Sequence, residues 1–115
     1  MLHFCLQGKA WEKLAMKIKI FVRTFTSNED AELFNSLLQT KWPDLLKGKK
    51  GARFRLVQDK QKPHVSMVVW EFENEKIQSD IEQLIQQEIA KFVRTLPNKE
   101  IHFQGDVTQD FAALK

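Results

Sequence analysis

The run HVSMVVWEF at residues 64–72 carries apolar side chains at both parities of a two-residue repeat. Successive side chains of a strand point to opposite faces, so Val65, Met67 and Val69 fall on one side and His64, Ser66, Val68, Trp70 and Phe72 on the other. Such a strand needs cover on both faces, and any fold for this chain has to supply it.

One domain is expected to do so. A chain of 115 residues with 43% apolar and 29% charged content has the profile of a single globular unit, and at this size about 65% of the unfolded surface is buried without disulfides or metals. Cys5 is the single cysteine; it makes neither an internal bridge nor a metal cluster, and it points to a reducing, cytoplasmic compartment. With no motif around it, it reads as a small apolar residue rather than a nucleophile. No apolar run approaches the roughly 18 residues of a membrane span and no signal-peptide core opens the chain, so neither export nor membrane contact is expected. The net charge of +3 suits solubility as well as an anionic partner.

Residues 1–15 fit neither period and form an N-terminal appendage, in which Ala10, Trp11, Leu14 and Ala15 make the apolar side of a short helical turn. Met16 is a second candidate translation start. The domain is assigned to residues 16–107 and a tail to 108–115, with Phe111 and Leu114 either docking or fraying. KIKIFVRTF at 17–25 alternates as a first strand. Ser27, three residues before Asp30, opens a helix carrying Leu33, Phe34, Leu37, Leu38 and Trp42 at helical spacing, with Pro43 near its end. DLLKGKKG at 44–51 is a loop, 52–58 a second strand, and DKQKP at 59–63 the turn of an antiparallel hairpin into the third strand. From Asn74 the period becomes 3.6, with Ile77, Ile81, Leu84, Ile85, Ile89, Phe92, Val93 and Leu96 on one side up to Pro97. Residues 100–104 alternate as a last short strand.

The order β-α-β-β-α-β predicts a ferredoxin-like α+β domain, one four-stranded antiparallel sheet with two helices on one face. The expected helix-covered face is Ile18, Ile20, Val22, Phe54, Leu56, Val65, Met67, Val69, Ile101 and Phe103. The expected open face is then Phe21, Phe25, Val57, Val68, Trp70 and Phe72, accompanied by Arg23, Arg53, Arg55, His64 and His102. An apolar patch of that size calls for a cover: single-stranded nucleic acid, a second copy of the chain, or a small molecule held within a dimer.

Ile20, Phe21, Val22 and Phe25 resemble the shorter signature of the RNA-recognition motif, which has this element order and stacks bases on sheet aromatics. The third strand departs from the longer signature, having His64 to Val69 where a basic residue, glycines and stacking aromatics would stand. The KGKKG loop with Arg53 and Arg55 suits a single strand but equally a solvated surface, and nucleic acid is not the expected partner.

Two sheets packed face to face would cover the third strand on both sides at once. Here the chain resembles, over about residues 17–104, the dimeric α/β-barrel superfamily that includes the antibiotic-biosynthesis monooxygenase-like domains. The most specific local feature is Trp70-Glu71 closing strand three before the acidic stretch 73–75, similar to the W-E segment common in that family. The resemblance implies a homodimer whose ligand pocket, where there is one, lies between sheet and helices or within the barrel, and in some members a cofactor-free oxygenase or a haem-degrading enzyme. Haem-handling members use a histidine on the second helix and an asparagine on the first strand. Residues 74–96 contain no histidine and 17–25 no asparagine, so haem chemistry is not expected.

The candidate ligand-binding residues are Phe21, Arg23, Arg55, His64, Val68, Trp70 and Phe72, and the candidate catalytic residues His64, Trp70 and His102. A histidine could serve as a general base and an arginine could stabilise a carboxylate or enolate. No metal-ligand spacing, phosphate-cradling loop or serine-nucleophile motif occurs, and no cofactor is expected. The function expected is that of a small homodimeric protein binding a small organic molecule, an anion being one option, with monooxygenase-like activity as one form of it. A structural or regulatory interaction module without catalysis is the alternative, and single-strand binding the third. The third is checked directly: titration of a labelled 20-mer oligonucleotide should show no salt-dependent binding, whereas a shift weakened by Arg53→Ala or Arg55→Ala would establish it.

Overall fold

The computed structural model describes residues 16–113; the N-terminal appendage, with Cys5 and the proposed turn around Trp11, and Leu114 of the tail lie outside them. The elements are β1 (Lys17–Phe25), α1 (Asn28–Leu45), β2 (Ala52–Val57), β3 (Val65–Phe72), a second helix in three segments, and β4 (Asn98–Asp106). The second helix comprises α2 (Glu75–Leu84), a π-helical turn (Ile85–Ile89) and α3 (Ala90–Thr95). All four strands join one sheet in the order β2-β3-β1-β4. Every pairing is antiparallel, with Phe21 opposite Val68 on one side and His102 on the other. This is the ferredoxin-like arrangement, with both helices on one face.

Local chemistry starts both helices. The Ser27 hydroxyl accepts the Asp30 N–H at 3.1 Å, and Asn74 Oδ1 accepts the Ile77 N–H at 3.0 Å, each satisfying one of the donors that a helix leaves unpaired at its start. Pro43 does not end α1, which continues to Leu45. The ring sits exposed in the last turn, and the Leu46 N–H closes the helix on the Trp42 carbonyl at 2.9 Å. Gly51 brings the chain into β2 at φ 82°; a side chain there would be strained and would run into Ile77 Cδ1. β4 is longer than its alternation suggested, reaching from Asn98 to Asp106.

The faces of the sheet reverse the expectation for three strands. Phe21, Phe25, Val68, Trp70 and Phe72 lie under the helices and are buried. They pack against Ala31, Phe34, Leu38 and Trp42 of α1 and against Ile81 and Ile89 of the second helix. The aliphatic set expected under the helices, Ile18, Ile20, Val22, Val65, Met67, Val69, Ile101 and Phe103, lines the opposite face together with Arg53, Arg55 and Val57. Ile101 and Phe103 are 72% and 66% exposed there. Only β2 was placed correctly, because Arg53 and Arg55 alternating with Phe54 and Leu56 leave no ambiguity about its buried side.

Size explains the reversal. The space between α1 and the sheet is filled by an aromatic cluster in which Trp70 meets Trp42 at 4.7 Å edge-on, Phe54 at 5.1 Å and Phe72 stacked at 5.6 Å. Such contacts each add about 0.5–1.5 kcal/mol beyond the apolar area they bury. Short β-branched side chains in those positions would leave the helix standing off the sheet over voids. The polar residues of this parity, which pointed towards an open face, are accommodated instead. Ser66 donates to Asn35 Oδ1 at 2.7 Å in the interior, and Arg23 finds a carboxylate and two rings. Phe111 is 88% exposed, so the tail does not dock through it. Trp70→Ala should lower unfolding free energy by about 3–5 kcal/mol in urea titration; a loss below about 1 kcal/mol would contradict its central position.

Candidate functional site

Past the centre of the sheet the second helix runs towards β4, and a cleft of about 490 Å³ opens between its later half and β1 and β4. The volume lies in the range of pockets that take drug-sized ligands. The strand side is built by period two: Lys19, Phe21 and Arg23 from β1, Glu100 and His102 from β4. The helix side is built by helical spacing, with Glu82, Ile85, Gln86, Ala90, Val93 and Arg94 falling along one stripe. The π turn lies in this wall. The Ala90 N–H donates to the Ile85 carbonyl five residues back, and both residues line the cleft; single π turns of this kind occur often at functional sites. Lys41 of α1 ties the turn down through Glu88 at 3.3 Å.

Charge is arranged at the two ends of an apolar floor. At one end Lys19 Nζ lies 2.6 Å from Glu82 Oε2 and 5.2 Å from the Phe21 ring centre. Burial works to raise the Glu82 carboxyl, but hydrogen bonds from Lys19 and Gln78 and the Lys19 charge outweigh it and hold the group below its ordinary value. At the other end Arg23, 4% exposed, donates from Nε to Glu100 Oε1 at 3.0 Å. Its guanidinium carbon stands 4.7 Å from the Phe21 ring centre and 5.0 Å from that of Phe34. Desolvation lowers the Arg23 pKa and the Glu100 carboxylate opposes the shift; a guanidinium nevertheless stays charged throughout the working range. The second oxygen of Glu100 faces His102 Nδ1 at 3.9 Å, and the imidazole lies 6.2 Å from the Phe21 ring.

Of the residues expected from sequence, Phe21, Arg23 and His102 come together here. Trp70, Val68 and Phe72 do not line the cleft; they are core. Trp70 and Val68 stand directly behind its wall, around a small void of about 10 Å³ shared with Phe21 and Arg23. His64 precedes β3, where its carbonyl accepts the Phe25 N–H at 2.9 Å, and it does not line the cleft. Arg55 is on the opposite face, its Nη2 2.6 Å from Glu71 Oε2, too bent for a hydrogen bond but close enough for an ion pair. The stacking aromatics on which a nucleic-acid surface would depend are likewise beneath the helices. Sequence reasoning missed Lys19, Glu82, Gln86, Arg94 and Glu100. The signal was present, since Lys19 shares the parity of Phe21 and Arg23, and residues 82, 86, 90 and 94 recur every four positions. No group of three or more metal-ligating side chains forms among the described residues, and no helix among them is long and apolar enough to cross a membrane.

A dimeric ferredoxin-like protein from an uncultured marine organism superposes with a TM-score of 0.71 at 19% identity, over 89% of this chain and 96% of that one. A candidate antibiotic biosynthesis monooxygenase from Caulobacter crescentus gives 0.69 at 10% identity, over 90% and 99%. SnoaB, a cofactor-independent oxygenase from Streptomyces nogalater, gives 0.60 at 12%, over 87% and 97%. The fold is the one these proteins share. At such identities the likeness is one of fold alone. No family model matches the chain and no curated protein matches it in sequence.

The Lys19–Glu82 pair gives the site a pH signature. A carboxyl held below its unfolded value contributes stability that is present above the ordinary glutamate range and is lost as pH falls through the lowered folded value. Urea midpoints measured from neutral pH down into the acid range should therefore fall less steeply for Glu82→Gln than for the wild type; identical slopes would remove Glu82 from the pairing.

Proposed function

We propose that the protein is a homodimer, joined through the aliphatic face of its sheet, that binds a small organic molecule in the cleft between β1, β4 and the second helix. The observation that carries this reading is the cleft itself, an apolar floor of Phe21, Ile85, Ala90 and Val93 with charged groups at its ends. The face of Ile18, Ile20, Val22, Val65, Met67 and Val69, with Ile101 and Phe103 exposed beside it, is what a second sheet would cover. A marine protein of the same fold is described as dimeric, which supports that occupant. The site lies on the helix side and the contact on the other, so dimerisation leaves the cleft open.

SnoaB is a cofactor-independent oxygenase, and an oxygenase-type reaction on the bound molecule is the activity this reading includes. In this reading His102, beside Glu100 at the cleft wall, takes a proton from the ligand, since His64 and Trp70 do not line the cleft. The reading keeps the protein in the cytoplasm, as a domain of residues 16–107 with terminal extensions.

Light scattering at tens of micromolar should give twice the chain mass, and Val22→Glu combined with Met67→Glu should give a folded monomer. A wild-type monomer would end the dimer reading. For the cleft, a screen of bicyclic aromatic fragments by NMR should shift amides of 82–94 and 100–102. Oxygen uptake with a dihydroxynaphthalene, without added metal or flavin, should fall at least about tenfold in His102→Ala.

A further inference from the structure

We infer that the occupant of the cleft is an organic monoanion, its one acid group held by Arg23 and Arg94 while its ring system lies over Phe21. This rests on the cleft reading above and adds the chemical class of the ligand.

Arg23 is the telling residue. Its guanidinium is buried and lies close to the rings of Phe21 and Phe34, and acceptors can meet it only in its plane, where its N–H groups point. A guanidinium has five N–H donors in that plane. Among the described residues, the one acceptor it meets is Glu100 Oε1, through Nε. The terminal Nη groups are therefore without a protein acceptor in the wall of the cleft. Neither terminal nitrogen is a buried unpaired atom, so that edge opens to the cleft, and the planar fork fits two oxygens side by side, as in a carboxylate or in an enolate next to a carbonyl.

The charge count gives the ligand's valence. The wall holds three cations, Lys19, Arg23 and Arg94, and two carboxylates, Glu82 and Glu100. Lys19 and Glu82 neutralise one another at 2.6 Å, as do Arg23 and Glu100 at 3.0 Å. Arg94 makes no ion pair among the described residues. One negative charge brings the wall to neutrality, two would overshoot it, and a neutral ligand would leave the in-plane edge of Arg23 without an anionic acceptor.

The test compares 2-naphthoate with its neutral isostere 2-naphthamide by fluorescence and NMR titration of the full chain. The naphthoate should bind at least about tenfold more tightly. Arg94→Gln, an exposed change, should shrink that ratio several-fold while leaving amide binding in place. Arg23→Lys, which keeps the charge but not the planar fork, should also shrink it, with thermal unfolding as the check on folding. Ala90→Trp, which fills the cleft, should abolish binding of both probes. Equal affinities in the wild type, both lost in Ala90→Trp, would overturn the monoanion inference and leave the cleft standing. Binding of both that survives Ala90→Trp, or binding of neither by the wild type, would overturn the cleft reading and the inference with it.

Discussion

Trp70 sits mid-strand in β3 and touches Trp42, Phe54 and Phe72 at once, and the orientation of the whole sheet follows from that cluster. A helix packed on a sheet needs large side chains to bridge the gap, and the parity that carries Trp70 also carries Phe72, Phe21 and Phe25. Once those four point towards the helices, the alternation of the strands sends Ile18, Ile20, Val22, Val65, Met67 and Val69 to the other side with no further choice. The aliphatic face carries its long polar side chains, Arg53, Arg55, Glu71 and Lys99, around the aliphatic group rather than within it, which suits a sheet-to-sheet contact.

Placing this parity inward also brings a cation into the interior. Arg23 lies in β1 between Phe21 and Phe25, and a charge at that depth is tolerable only with a partner. β4 supplies one, because the register sets Arg23 opposite Glu100. The neighbouring rings of Phe21 and Phe34 add cation–π contact to the guanidinium. Nε has its carboxylate partner, while the terminal nitrogens meet no protein acceptor among the described residues.

The cleft comes from the way the second helix meets the edge of the sheet. Its first segment packs on β2 and β3, while beyond the π turn it approaches β4, whose helix-facing side chains remain exposed. The π turn adds a residue between two α-helical segments and so shifts the stripe of side chains that follows. Ala90 puts a small side chain in the wall beside Ile85, where a bulkier one would reduce the space. The result is an apolar floor with paired charges at its ends, on the side of the sheet away from the proposed contact between copies.

Much of this was legible in the chain itself. Periodicity sufficed for the six elements and their order, Ser27 marked the start of the first helix and the change of period at Asn74 that of the second, and the two-sided character of residues 64–72 required cover on both faces. These are local properties, determined by spacing along the chain and by single side chains. Which face the helices took was not local. Both parities of β1 and β3 are apolar, and Arg23, Ser66 and His102 made the aromatic parity look like the wetter one. The choice depended on fitting rings against Phe34, Leu38 and Trp42, and on Glu100, 77 residues further along, being in register to receive Arg23. For the same reason Phe21, Arg23 and His102 could be named as candidates while the cleft wall around them could not. Only the tertiary structure brings the second helix over β4, because that approach is decided by packing volume and long-range pairing rather than by any pattern along the sequence.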